Sequence, residues 1–131
     1  MSADSPAGSA PGGVPVTSLD EGALARLREL DPDGRHNVLK RVLGAFESSL
    51  MRMLSQLTAE RHDAHAAVVS ALAHTLKSSS ASIGALSLSR ACADVERRLR
   101  AGDETRLRAD IEQLLQEGEA ALRLVRAMLA Q

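Results

Sequence analysis

The run Ala73-His74-Thr75-Leu76-Lys77-Ser78-Ser79-Ser80 concentrates side chains that could do chemistry. Imidazole as a residue type has an ordinary pKa of about 6.5, so its neutral form is a competent nucleophile near pH 7. Helical residues advance by roughly 100° each. With His74 at the origin, Val68, Leu72, Leu76 and Ile83 fall within about 60° of the opposite side. The core face therefore points away from His74, and the imidazole is expected to face water. Ala67, Ser70, Ser78 and Ala81 fall within about 40° of His74, and Ala71 and Lys77 flank it. All except Lys77 are small, whereas an ordinary solvated helix face is crowded with Glu, Lys and Arg. Such a strip leaves the ring open to a docking protein. It also sets a cation one turn away, where an added phosphoryl group could use it. The wheel alone leaves a second reading open, a surface histidine with no role.

Other reactive side chains offer less. His62 and His65 are three apart with Asp63 between them, but no cysteine cluster or carboxylate set completes a metal site, so no metal and no cofactor is expected. His36 reads as a surface residue of the second helix. Cys92 falls with Leu88, Val95 and Leu99 on one helical seam and reads as a small core residue. Arg90, Arg97, Arg98 and Arg100 read as a solvated face. Gly84 reads as a structural junction, where a helix must turn or be closely approached.

The rest of the chain reads as helices that position this segment. Residues 1–17, with Pro6, Pro11, Pro15 and Gly12-Gly13, are expected to be a flexible tail or linker, because they cannot bury enough apolar surface to offset ordering. Residues 18–131 form the expected folded domain. Ser18 and Glu21 have capping-box spacing before a first helix whose face is Leu19, Ala23, Leu27 and Leu30. Asp31-Pro32 suits the start of a second helix, to about Glu60, with a stripe of Val38, Leu39, Val42, Leu43, Phe46, Leu50, Met53, Leu54 and Leu57. Asp63 is the expected cap of the third helix. The fourth spans about Ala85 to Arg100. Gly102-Asp103 is expected to stop it and cap the fifth, which carries Leu107, Ile111, Leu114, Leu115, Leu122, Val125 and Leu129. Short connections between long amphipathic helices predict an all-α, antiparallel up-down four-helix bundle with a short additional N-terminal helix.

Composition agrees. Phe46 is the single aromatic residue, and the chain has no Trp or Tyr. Helix formers dominate, and the residues that strands favour are sparse. A net charge of −1, with acids and bases interspersed, argues against a nucleic-acid binder. One cysteine excludes an internal disulfide and fits a reducing compartment. No run approaches the ~20 apolar residues of a membrane span, and the start lacks a signal-peptide pattern. A cytoplasmic chain without direct membrane contact is expected, tethered to a membrane kinase only if it is one domain of a larger protein. No exposed apolar stripe demands a dimer, so a monomer is expected.

The run His74-Thr75-Leu76-Lys77, followed by Gly84-Ala85, Leu88, Cys92, Glu96, Arg100 and Gly102, resembles histidine-containing phosphotransfer (HPt) domains of bacterial two-component phosphorelays. The resemblance covers about Ala73 to Gly102. It implies that His74 is the phosphoacceptor and that Lys77 assists the phosphoryl oxygens. It implies response-regulator receiver domains as partners, fed by a hybrid sensor histidine kinase, with the phosphoryl group passing from one receiver aspartate through His74 to another. It implies no ATP-binding or kinase site in the chain, and hence no enzyme in its own right. Ala67, Ser70, Ala71, Lys77, Ser78 and Ala81 would line the docking surface. Ser78 stands where the family usually has Gly; it is still small, and its hydroxyl can hydrogen-bond a phosphate or the imidazole. A histidine-kinase dimerisation helix is the nearest rival, but it usually places an acid directly after the histidine and a proline soon after, whereas Thr75 follows here. A structural helical adaptor is the remaining alternative.

Overall fold

The computed structural model describes residues 18–131, so the expected tail over residues 1–17 lies outside the described residues. Five helices follow in order: α1 (Glu21–Glu29), α2 (Val38–Ala59), α3 (Ala66–Ser82), α4 (Leu86–Arg100) and α5 (Leu107–Leu129), with no strand among the described residues. Helices α2 to α5 form the four-helix bundle, and α1 lies against it. Pairs across α2 and α5 run in opposite order, Lys40 with Gln131, Glu47 with Arg126, Arg61 with Glu112, so the two are antiparallel. α3 and α4 are antiparallel likewise, with His74 on Glu96 and Lys77 on Ser89. The core is aliphatic, with Leu43, Leu50, Leu57, Leu76, Leu88, Val95, Ile111, Leu114 and Val125 essentially without solvent contact. Each such side chain contributes roughly 1.5–3 kcal/mol on burial. The fully buried Cys92 belongs to this core, and burial pushes its thiol up to about 12, so it is chemically quiet.

The junction between α3 and α4 is built on Gly84. Its φ of 84° is left-handed, and the amide of Ala85 reaches back to the Ser80 carbonyl at 2.8 Å, which closes α3 in a Schellman turn. A side chain there would also collide with the Asp20 backbone, because an added Cβ would stand 2.6 Å from its nitrogen. The Asp20 amide donates to the Gly84 carbonyl at 2.9 Å, which pins the lead-in to α1 onto the junction. Gly102 ends α4 the same way, with φ 81° and the Asp103 amide on the Arg98 carbonyl at 2.9 Å.

Several helix boundaries differ from the sequence reading. Asp20, not Ser18, caps α1, since its carboxylate accepts from the Ala23 amide at 3.0 Å. Leu30 lies past the end of α1 and is 70 % exposed, while Leu24 takes the core position. α2 starts at Val38 rather than Pro32. Asp31 still serves that end, but through a loop: Oδ2 accepts from the amides of His36 and Val38, with Asn37 left-handed between them. His36 is therefore a loop residue and not part of α2. Asp63 does not cap α3; His65 occupies that position, and its amide donates to Glu60 at 2.7 Å. Asp103 likewise accepts from Thr105 in a local turn, and α5 begins at Leu107. Arg98 is not on a solvated face. It pairs with Asp110, which is 1 % exposed, and ties α4 to the first turn of α5.

Candidate functional site

α3 presents His74 as expected, but the helix is rotated relative to the sequence wheel. Val69, Ala73, Leu76 and Ser80 make the buried face, whereas Val68 is 42 % exposed. α3 packs chiefly against α4, and Ala73 and Ser80 are fully buried although small, so the true core stripe is partly made of residues too small to register as apolar anchors. The rotation turns the His74 flank toward α4. His74 remains open, with 60 % of its side chain exposed. Among the expected docking positions, Ala67, Ala71 and Ser78 are exposed, and Ser70, Lys77 and Ala81 are half-buried at the edge of the same face.

The decisive partner comes from α4. Glu96 is only 6 % exposed at its side chain and reaches across to His74, with Oε2 2.6 Å from Nδ1. Its other oxygen accepts from Lys77 Nζ at 2.7 Å, and Arg100 Nε stands 3.2 Å from Oε2. The Lys77 hydrogen bond, supported by that of His74 and opposed by desolvation, holds the Glu96 carboxyl below the usual carboxylate range. At neutral pH it is thus an anion that can only accept, so His74 Nδ1 must carry the proton it donates. In the neutral ring the lone pair is then on Nε2. Ser89 Oγ donates to the Lys77 carbonyl at 2.9 Å and adds a second tie between α3 and α4 beneath the site.

The charges around the ring are one carboxylate and two permanent cations, Lys77 and Arg100. The site therefore carries an excess of positive charge before any phosphoryl group arrives. It is not a pocket. A cleft of about 690 Å³ lies at the end of the bundle where the α2–α3 and α4–α5 loops meet, and its lining, with His62, Asp63, Glu104, Arg106 and Arg108, includes neither His74 nor Lys77. No group of three or more His, Cys, Asp or Glu side chains is placed to hold a metal among the described residues. His62 is exposed, and His65 is drawn to Glu60 and Asp63.

A family model described as the Hpt domain matches residues 41–131. The chain belongs to the Hpt-domain family. Its fold is similar to the crystal structure of histidine-containing phosphotransfer protein B (HptB) from Pseudomonas aeruginosa PAO1, with a TM-score of 0.72 and 28% sequence identity over 86% of this chain and 94% of that one. No curated protein matches the chain in sequence. The family match and the likeness to HptB support a histidine phosphotransfer role in a phosphorelay. Among the described residues no helix is long and apolar enough to cross a membrane.

The sequence reading placed Glu96 in the family motif without giving it a task. A signal was there. Glu96 is four residues beyond Cys92, at the edge of the inner seam of α4, and a carboxylate so placed needs a cation or a donor.

Proposed function

We propose that this Hpt domain carries a phosphoryl group on His74 Nε2, taking it from the aspartyl phosphate of one receiver domain and giving it to the aspartate of another. The observation that carries this reading is the 2.6 Å bond between Glu96 and Nδ1 beneath an otherwise open ring. It orients the imidazole and leaves the Nε2 lone pair outward. Attack forms the N–P bond as the P–O bond to the aspartate breaks, and that electron pair returns to the aspartate as a carboxylate. The imidazolium formed keeps its proton on Nδ1, where the Glu96 anion offsets the charge, much as a buried acid supports a catalytic histidine elsewhere. Lys77 Nζ, already beside Glu96, is close enough to turn toward the phosphoryl oxygens. The return step reverses each bond change.

In this reading the donor arrives on a partner, so the chain needs no nucleotide site and is a phosphotransfer module served by a sensor kinase and its receivers. The small residues Ala67, Ala71 and Ser78 leave room for a receiver to bring its aspartate in line with Nε2. The test is labelling by a phosphorylated receiver domain. His74→Gln should lose all label and keep parental helicity, with His36, His62 and His65 unlabelled throughout. A fully labelled His74→Gln protein sinks the assignment.

A further inference from the structure

The serines near the end of α3 differ in how their hydroxyls are used. Ser79 Oγ donates to the carbonyls of Thr75 and Leu76, each at 3.3 Å, and Ser82 Oγ donates to the Ser78 carbonyl at 3.0 Å. Such bonds back to the helix are the usual resting place of a helical serine. Ser78 Oγ makes no hydrogen bond among the described residues, and the residue is exposed. Ser78 follows His74 by four positions, which on a helix puts the two Cβ atoms about 5–6 Å apart on one face. The imidazole already has its partner, because Nδ1 is held by Glu96. Lys77 and Arg100, the nearby cations, are likewise engaged with Glu96. On the same helix face as His74, the hydroxyl of Ser78 is therefore a donor with no competing acceptor among the described residues.

We propose that Ser78 Oγ donates a hydrogen bond to a phosphoryl oxygen carried on His74 Nε2 and prolongs the life of the phosphohistidine. This rests on His74 as the phosphoacceptor. The physical reason is a difference between ground and transition state. Phosphoryl groups leave through a loose, metaphosphate-like transition state. As the N–P bond opens, its electron pair returns to the imidazole and the peripheral oxygens lose negative charge. A donor to those oxygens thus stabilises the phosphohistidine more than the transition state for its loss to water. The hydroxyl is small enough to do this without closing the face to a docking receiver.

The test uses the full chain, without a partner. Phosphoramidate phosphorylates the imidazole directly, forming the N–P bond as ammonia leaves. The half-life of the phosphohistidine and its ³¹P chemical shift are then measured for the parental protein, Ser78→Ala, Ser78→Gly and Ser78→Thr. Ser78→Ala and Ser78→Gly should each shorten the half-life by about threefold or more and move the ³¹P resonance, the size expected for losing one charge-assisted hydrogen bond at a partly solvated site. Ser78→Thr, which keeps the hydroxyl, should restore both. If His74 is labelled and all four proteins share one half-life and one ³¹P shift, the role of Ser78 is wrong while the phosphoacceptor stands. If the label never appears on His74, the reading beneath it fails as well.

Discussion

At the scale of single residues, the proposed site is organised around one carboxylate. Glu96 faces His74, Lys77 and Arg100 at once, so replacing it acts on all three. Glu96→Gln keeps the size but removes the anion that fixes the proton on Nδ1. It should slow phosphotransfer roughly ten- to hundredfold, the usual range for removing a group that orients a reacting side chain. Nitrogen-15 spectra of His74 should show the ring tautomers mixed; a parental tautomer and rate would overturn the role given to Glu96. The pH behaviour has a definite sign. Because folding lowers the Glu96 pKa, its contribution is complete above the ordinary carboxylate value of about 4.3 and is lost as pH falls through the lower folded-state value. A carboxyl titration by NMR should therefore place Glu96 below the ordinary glutamate value. Lys77→Ala should act on the phosphorylated state, shortening its lifetime or slowing transfer while receiver docking is kept, as measured by phosphohistidine decay and by receiver affinity. The placement of His74 and Lys77 together was legible in the sequence because their relation is local, three positions on one helix. The tie to Glu96 was not, because it spans 22 positions and two helices, and helical periodicity says nothing about which faces meet.

At the scale of elements, stripes were legible and ends were not. The inner seam of α4, Leu88, Cys92, Val95 and Leu99, is buried as its spacing requires, and the large apolar residues of α5 face inward. Helix starts went astray because a good capping residue can serve at a distance. Asp31 satisfies the amides at the start of α2 from seven positions upstream, so the residues between are turn and not helix. α3 is rotated from the wheel because Ala73 and Ser80, not Val68, are buried, and a wheel weighted toward large apolar residues misplaces a face that includes small ones. Gly84 was legible as a junction, and the structure adds its cause: left-handed backbone with the Asp20 backbone pressed against it. Gly84→Ala should destabilise the protein by about 2–4 kcal/mol, a left-handed penalty together with an overpacking cost. Thermal unfolding reads the loss, and hydrogen exchange should show the Asp20 amide losing protection first. An unchanged melting temperature would mean that the lead-in to α1 is not anchored there.

At the scale of the whole molecule, the bundle presents the proposed site on the outer face of α3 and α4. The aliphatic core joins α2 and α5 to the rest of the bundle and the Arg98–Asp110 pair ties α5 to α4, while α3 and α4 carry the residues of the proposed site. In the proposed relay a receiver domain brings its aspartate near His74 Nε2 with nitrogen, phosphorus and oxygen almost in line, which leaves little room for bulk between the proteins. Ser78→Glu and Ala81→Arg should therefore block transfer from a phospho-receiver without unfolding the bundle. Ser78 is exposed and Ala81 half-buried at the edge of the face, where a long side chain can run its stem along the surface and keep its charge in water. The two variants fail for partly different reasons. Glutamate also repels the phosphoryl dianion, whereas arginine attracts it, so a block by both points to bulk and not to charge. Leu76→Asp is the contrast: Leu76 is 1 % exposed, and a carboxylate there should cost several kcal/mol and lower the melting temperature before transfer is considered. The measurement pairs transfer kinetics with thermal unfolding for the three variants. Parental transfer by both Ser78→Glu and Ala81→Arg would mean that receivers do not approach across this stretch of α3, and the docking face would have to be sought on the α4 side of His74, where Arg97 and Arg100 are exposed.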